Sequence, residues 1–199
     1  MTQLVFPVVD PFADGFIERS ASFIDGNRVE LQRRWASEGP SALVIGCNPS
    51  LAGSKRADGT ERDDPTATWW LKWFRDAGFA EYRAANLYPF VTSSPAECRR
   101  LAQWDKNGPD WGARDAMHAN LTHLCKLAAA ADQVFVCWGA IAWDDGWIEH
   151  VLEELACEGG NPALWCWGFN NDGSPKHPMA RGRHRIPAGQ KAILWRHAA

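Results

Sequence analysis

Residues 41–50 read SALVIGCNPS, and Ala42, Leu43, Val44 and Ile45 follow one another with no polar alternation. A half-exposed strand alternates in polarity, whereas one that is apolar at every position needs cover on both faces. Helices on either side of a parallel sheet supply that cover. The run then breaks into Gly46-Cys47-Asn48-Pro49-Ser50. Gly46 lets another group approach the backbone closely, while Pro49 fixes its own φ and biases Asn48 away from helical geometry. Two readings stand: a buried strand ending in a stiff polar loop that presents Asn48 and Ser50, or a strand followed by an ordinary Asn-Pro turn. In an open α/β sheet, the edge at which such a loop emerges is where ligands bind.

Three further apolar runs, residues 82–86, 133–138 and 163–168, end in small or polar residues. Helical patterns lie between them over residues 66–77, 112–131 and 147–157. This alternation predicts an α/β fold, a three-layer α/β/α sandwich around a mostly parallel four-stranded central sheet. Ahead of it, residues 16–23 and 28–35 flank Asp25-Gly26-Asn27, strong turn chemistry between segments of alternating polarity, and predict a β-hairpin that covers one sheet edge, the alternative being a wall of the ligand cleft. The expected organisation is a single domain, with a hairpin extension over residues 1–36 and an α/β core over 37–199.

Tryptophan occurs twelve times. In the helix over 66–77, Trp70, Trp73, Phe74 and Ala77 recur at helical spacing and are expected to form its core face. Trp69 falls off that stripe, facing either a pocket or solvent. Trp138, Trp143, Trp165 and Trp167 lie on or beside strands, where alternate members face opposite sides of the sheet.

A net charge of −3 and a pI of about 6.1 give no general attraction to nucleic acid or membrane, so any nucleic-acid contact needs a local basic patch. The N-terminus lacks a basic start followed by an apolar core, and no apolar run reaches about 18 residues. A cytoplasmic protein with no membrane partner is expected. The six cysteines are scattered singly, and neither they nor the six histidines have metal-ligand spacing. Reduced, buried cysteines are expected, with no metal and no cofactor.

Two other stretches carry chemistry. Residues 53–68 form a polar, charged loop that ends in Asp63-Asp64-Pro65-Thr66 and runs into the Trp-rich helix. Asp64 suits the helix cap and Pro65 the first helical position. The alternative is that one of the two carboxylates, held beside Asn48, orients a water or a ligand hydroxyl. Within residues 170–187, Lys176, His177, Arg181, Arg183, His184 and Arg185 form a basic cluster, either a solvated loop or a receiver of phosphate oxygens. His177, fixed between Lys176 and Pro178, is suited to donate a hydrogen bond to a ligand.

Together these residues resemble the DUF1643 family of bacterial and phage proteins. Its pattern is met here by Asn48-Pro49-Ser50, Asp64-Pro65-Thr66, Asn86-Leu87, Gly108-Pro109-Asp110, Trp138-Gly139 and His177-Pro178, across about residues 16–187. The same pattern singles out Asn86, a strand end expected to face the cleft, and Trp138, either a stacking wall or core. It also points to Asn107 and to Asp115, most simply a first-turn carboxylate. A more distant resemblance is to the uracil-DNA glycosylase superfamily, carried by Gly46-Cys47-Asn48-Pro49, His177-Pro178 and the Asp64-Pro65 entry into Trp69-Trp70. The chain departs from that superfamily in Ser50, where glycine is usual, and in Met179, where a serine usually follows His-Pro.

The superfamily resemblance implies that the first loop positions an attacking water, an aromatic ring stacks on an extruded base, and the second loop supports the departing base. On this basis the chain is expected to act on a modified base or nucleotide by hydrolysing an N-glycosidic bond. Asn48, Asp63, Asp64 and His177 are the expected catalytic residues. Cys47, Pro49, Ser50, Thr66, Trp69, Asn86, Trp138, Lys176, Pro178, Arg181, Asn107 and Asp115 are expected to bind the nucleotide or nucleic acid. The alternative is a non-catalytic recognition module on the same fold, in which the carboxylates only cap a helix.

Overall fold

The computed structural model describes residues 15–57, 59, 61–103 and 111–197. Its strands are β1 (Glu18–Ile24), β2 (Asn27–Arg34), β3 (Ser41–Gly46), β4 (Glu81–Asn86), β5 (Gln133–Val136), β6 (Ala163–Cys166) and β7 (Ile193–His197). The helices are α1 (Pro65–Asp76), α2 (Pro95–Ala102), α3 (Trp111–Ala130) and α4 (Asp145–Cys157). All seven strands join one mixed sheet in the order β1-β2-β4-β3-β5-β6-β7. The expected four-stranded central sheet with a separate hairpin is corrected to one sheet of seven strands among the described residues: β3, β4, β5 and β6 run parallel at the centre, and antiparallel strands, the hairpin included, extend the sheet at both edges.

The unbroken apolar run now has its cover. Ala42 and Val44 face a core built with Trp70, Leu71 and Phe74 of α1, while Leu43 and Ile45 face a second core built with α2, α3 and α4. Phe135 and Val136 divide between the two cores in the same way. On α1 the buried stripe is Ala67, Trp70, Leu71 and Phe74. Ala77 caps the helix and is exposed, and Trp73 is only half-buried, so the stripe lies one turn earlier than the spacing of the tryptophans suggests.

The hairpin is part of the sheet rather than a cover over its edge. Asp25 and Gly26 adopt φ of 48° and 79°, the left-handed geometry of a tight hairpin turn, and β2 pairs with β4 from Leu31↔Ala84 to Arg34↔Glu81. Since β2 runs antiparallel to β4, its first residues come to lie beside the carboxyl ends of the parallel strands. Among the described residues, no helix is long and apolar enough to cross a membrane.

Candidate functional site

At the carboxyl edge of the central strands the loops after β3, β4, β5 and β6 meet the first turns of α1 and α2 around a cleft of about 330 Å³. Topology alone brings them there, because every parallel strand ends on this side. Asn48 follows β3. Its Nδ2 donates to the carbonyls of Pro49 (3.1 Å) and Thr92 (2.7 Å), which fixes the amide orientation and leaves Oδ1 as an acceptor. Pro49 is buried and its carbonyl also accepts from the Thr92 N–H, so it props the loop. Cys47 and Ser50 line the cleft. Burial pushes the Cys47 thiol well up, so it remains protonated.

Asp63 and Asp64 have separate tasks. Both oxygens of Asp63 are taken by arginines: Oδ1 by Nε and Nη2 of fully buried Arg33 (3.0 and 2.6 Å), Oδ2 by Nη2 of Arg19 (2.8 Å). Asp63 therefore ties the loop to the hairpin and does not line the cleft. Asp64 does line it. Oδ1 accepts from the Ala67 N–H at 2.8 Å and caps α1, and no described residue bonds Oδ2. Thr66 lines the same wall.

His177 faces Asp64 from the loop after β6. Its Nδ1 accepts from the Met179 N–H at 3.1 Å, so the neutral ring carries its proton on Nε2. Burial lowers its pKa, and the charge of Asp64 opposes the shift only in part. Gly139 makes the packing possible. Its φ is +73°, and a Cβ there would lie 2.9 Å from that of His177.

Asn86, at the end of β4, is buried against the cleft. Its backbone carbonyl accepts from Nδ2 of buried Asn120 at 2.8 Å, and its own Nδ2 has no acceptor among the described residues. A Cβ at Gly46 would stand 2.8 Å from Asn86 Oδ1, so that position has no room for a side chain. Exposed Arg181 and the exposed apolar Ile141 and Met179 surround the mouth.

Several residues expected at the site lie elsewhere. Trp69 packs edge-on against Trp167 at 4.9 Å and lines a neighbouring groove of about 950 Å³ between α1 and residues 178–192; Pro178 lines the same groove. Trp138 is core, edge-on to Trp195 at 5.3 Å. The Lys176 ammonium donates to the Arg185 carbonyl, and Asp115 is exposed on α3, away from the cleft. Asn107 lies outside the described residues. Conversely, Arg28 at the start of β2 lines the cleft at 3% exposure, although nothing in the polarity of the hairpin sets it apart. Asn120 was equally hidden, an amide inside a helical pattern. Five of the six cysteines are buried, Cys157 being exposed.

A family model described as a protein of unknown function, DUF1643, matches residues 28–179, from Arg28 to the end of the His177 loop. No curated protein and no solved structure matches the chain.

Proposed function

Since the chain belongs to the DUF1643 family, whose description assigns no activity, we propose its function from the cleft itself: hydrolysis of the N-glycosidic bond of a modified base or nucleotide. The observation that carries this reading is the convergence of Asn48, Asp64 and His177, from three separate loops, on one small cleft. The distant resemblance to uracil-DNA glycosylases supports it from the sequence side.

The chemistry needs little from each group. Glycosidic cleavage passes through a sugar with oxocarbenium character, which a nearby carboxylate stabilises and an oriented water captures. In the proposed arrangement Asn48 Oδ1 and Asp64 Oδ2 hold the water. Its oxygen bonds to the anomeric carbon, its proton passes to Asp64, and the C–N electron pair leaves with the base. His177 Nε2–H donates to the departing base as negative charge builds on it. Ile141 and Met179 at the mouth offer apolar contact to the faces of a base.

One observation favours a second reading, recognition without chemistry: the cap to Ala67 already accounts for Asp64 on structural grounds. Single-turnover incubation with nucleotides and single- and double-stranded oligonucleotides bearing uracil, hypoxanthine and other modified bases separates the two. Base release or alkali-labile abasic sites are expected. Retained binding with no cleavage across the panel supports the recognition module.

A further inference from the structure

Arg28 is a buried charge with no counter-charge at bonding distance among the described residues. Its Nη1 donates to the Ala52 carbonyl, while its buried Nε has no acceptor among the described residues. The contrast with Arg33 on the same strand is direct, since Arg33 is bonded to Asp63 and lies 3.2 Å from Glu61. Asp64 influences Arg28 electrostatically but stands beyond ion-pair distance. Burial pushes the Arg28 guanidinium down to about 10, so the charge persists at neutral pH. A buried cation left unpaired is strongly destabilising unless something entering the cleft supplies the anion.

The donor atoms around it have the same character. Asn86 Nδ2 is buried without an acceptor among the described residues, Arg181 stands at the mouth, and the positive ends of α1 and α2 border the cleft. Arg28, Asn86 and Arg181 come from β2, β4 and the loop after β6 and line one cleft, a set of donors able to share the oxygens of a phosphate. Asp64 shares the space, and a cleft of about 330 Å³ is small, so both disfavour a string of phosphates.

We infer that the cleft takes a ligand bearing a single phosphate, a nucleoside monophosphate or one nucleotide extruded from a strand, with Arg28 as the buried counter-charge and Asn86 as a second donor. This deepens the nucleotide reading above and rests on it. The phosphate sits at the Arg28 end of the cleft and the base between Ile141, Met179 and His177.

Calorimetric titration of the whole chain tests the assignment, with nucleoside 5′-monophosphates, the matching nucleosides, inorganic phosphate and a single-stranded oligonucleotide as probes. The monophosphates should bind at least about tenfold more tightly than the nucleosides, and inorganic phosphate should compete with them. Arg28→Gln should abolish that preference; if it does not fold, Arg28→Lys keeps the charge and should lose most of the preference with the guanidinium fork. Equal affinity for nucleoside and monophosphate, a preference that survives both substitutions, or no binding of any phosphate-bearing probe overturns the inference. Stronger binding of the oligonucleotide than of the monophosphates identifies an extruded nucleotide as the source of the phosphate, and the reverse a free nucleotide. Arg28-dependent binding without base release leaves the phosphate site standing and removes the glycosidic reading. Base release from nucleosides and monophosphates alike, unaffected by Arg28→Gln, does the opposite.

Discussion

Adjacent aspartates with different fates show how much the surroundings of a residue decide. Asp63 neutralises buried Arg33, and its replacement by alanine should cost about 3 kcal/mol, read from the shift of a urea unfolding midpoint. Asp64 shares its cap with any good acceptor, so Asp64→Asn should preserve stability to within about 0.5 kcal/mol. The same change should reduce base release roughly 10²–10⁴-fold, because asparagine carries neither the charge nor the basicity. Base release left unchanged by Asp64→Asn would show that Asp64 is a cap and nothing more. The pair was legible in the sequence as chemistry, but its division of labour was not. The arginines that separate the two roles, Arg19 and Arg33, come from a hairpin distant in sequence. Arg28 was hidden for the same reason: an arginine near a turn looks solvated until the strand order shows where the turn lies.

At the level of elements, the loop after β5 and the loop carrying His177 depend on each other through Gly139. Gly139→Ala places a side chain at a left-handed φ and against the His177 Cβ, and should cost roughly 1–3 kcal/mol in thermal unfolding while also lowering base release. His177 itself links the loop to pH. Its pKa is depressed in the folded chain, so the unfolded chain takes up the proton first as pH falls below the ordinary value of 6.5. Stability should therefore decline below that pH and level off once folded His177 is also protonated, and His177→Gln should remove this component from the pH–stability profile. Helix α1 was readable because Asp64-Pro65 starts it and the tryptophans mark its period. The shorter α2 escaped notice although Ser94 and Glu97 stand at capping spacing, and β7 escaped because five residues behind a Pro- and Gly-containing loop have too little pattern of their own.

Across the whole molecule, alternation of strand and helix foretold the central parallel strands and the two covered faces, since an unbroken apolar strand admits few other surroundings. It did not foretell that the hairpin would become the continuation of the sheet. Edge pairing is set by which strand end is left open, information spread across the chain rather than held in the hairpin. Val29, Leu31 and Arg33 are buried there, so a chain lacking residues 1–36 should lose its cooperative unfolding transition by circular dichroism. A cooperative transition in the truncated chain would instead make the hairpin dispensable.

Catalysis at the cleft is tested by release of free base from the modified nucleotide and oligonucleotide panel, followed by chromatography under single-turnover conditions for the parent chain and for Asp64→Asn at matched folded fraction. Glycosidic cleavage assisted by Asp64 requires release by the parent from at least one member and a loss of at least about a hundredfold in the variant. Equal release by the two proteins, or none from any member of the panel, contradicts it.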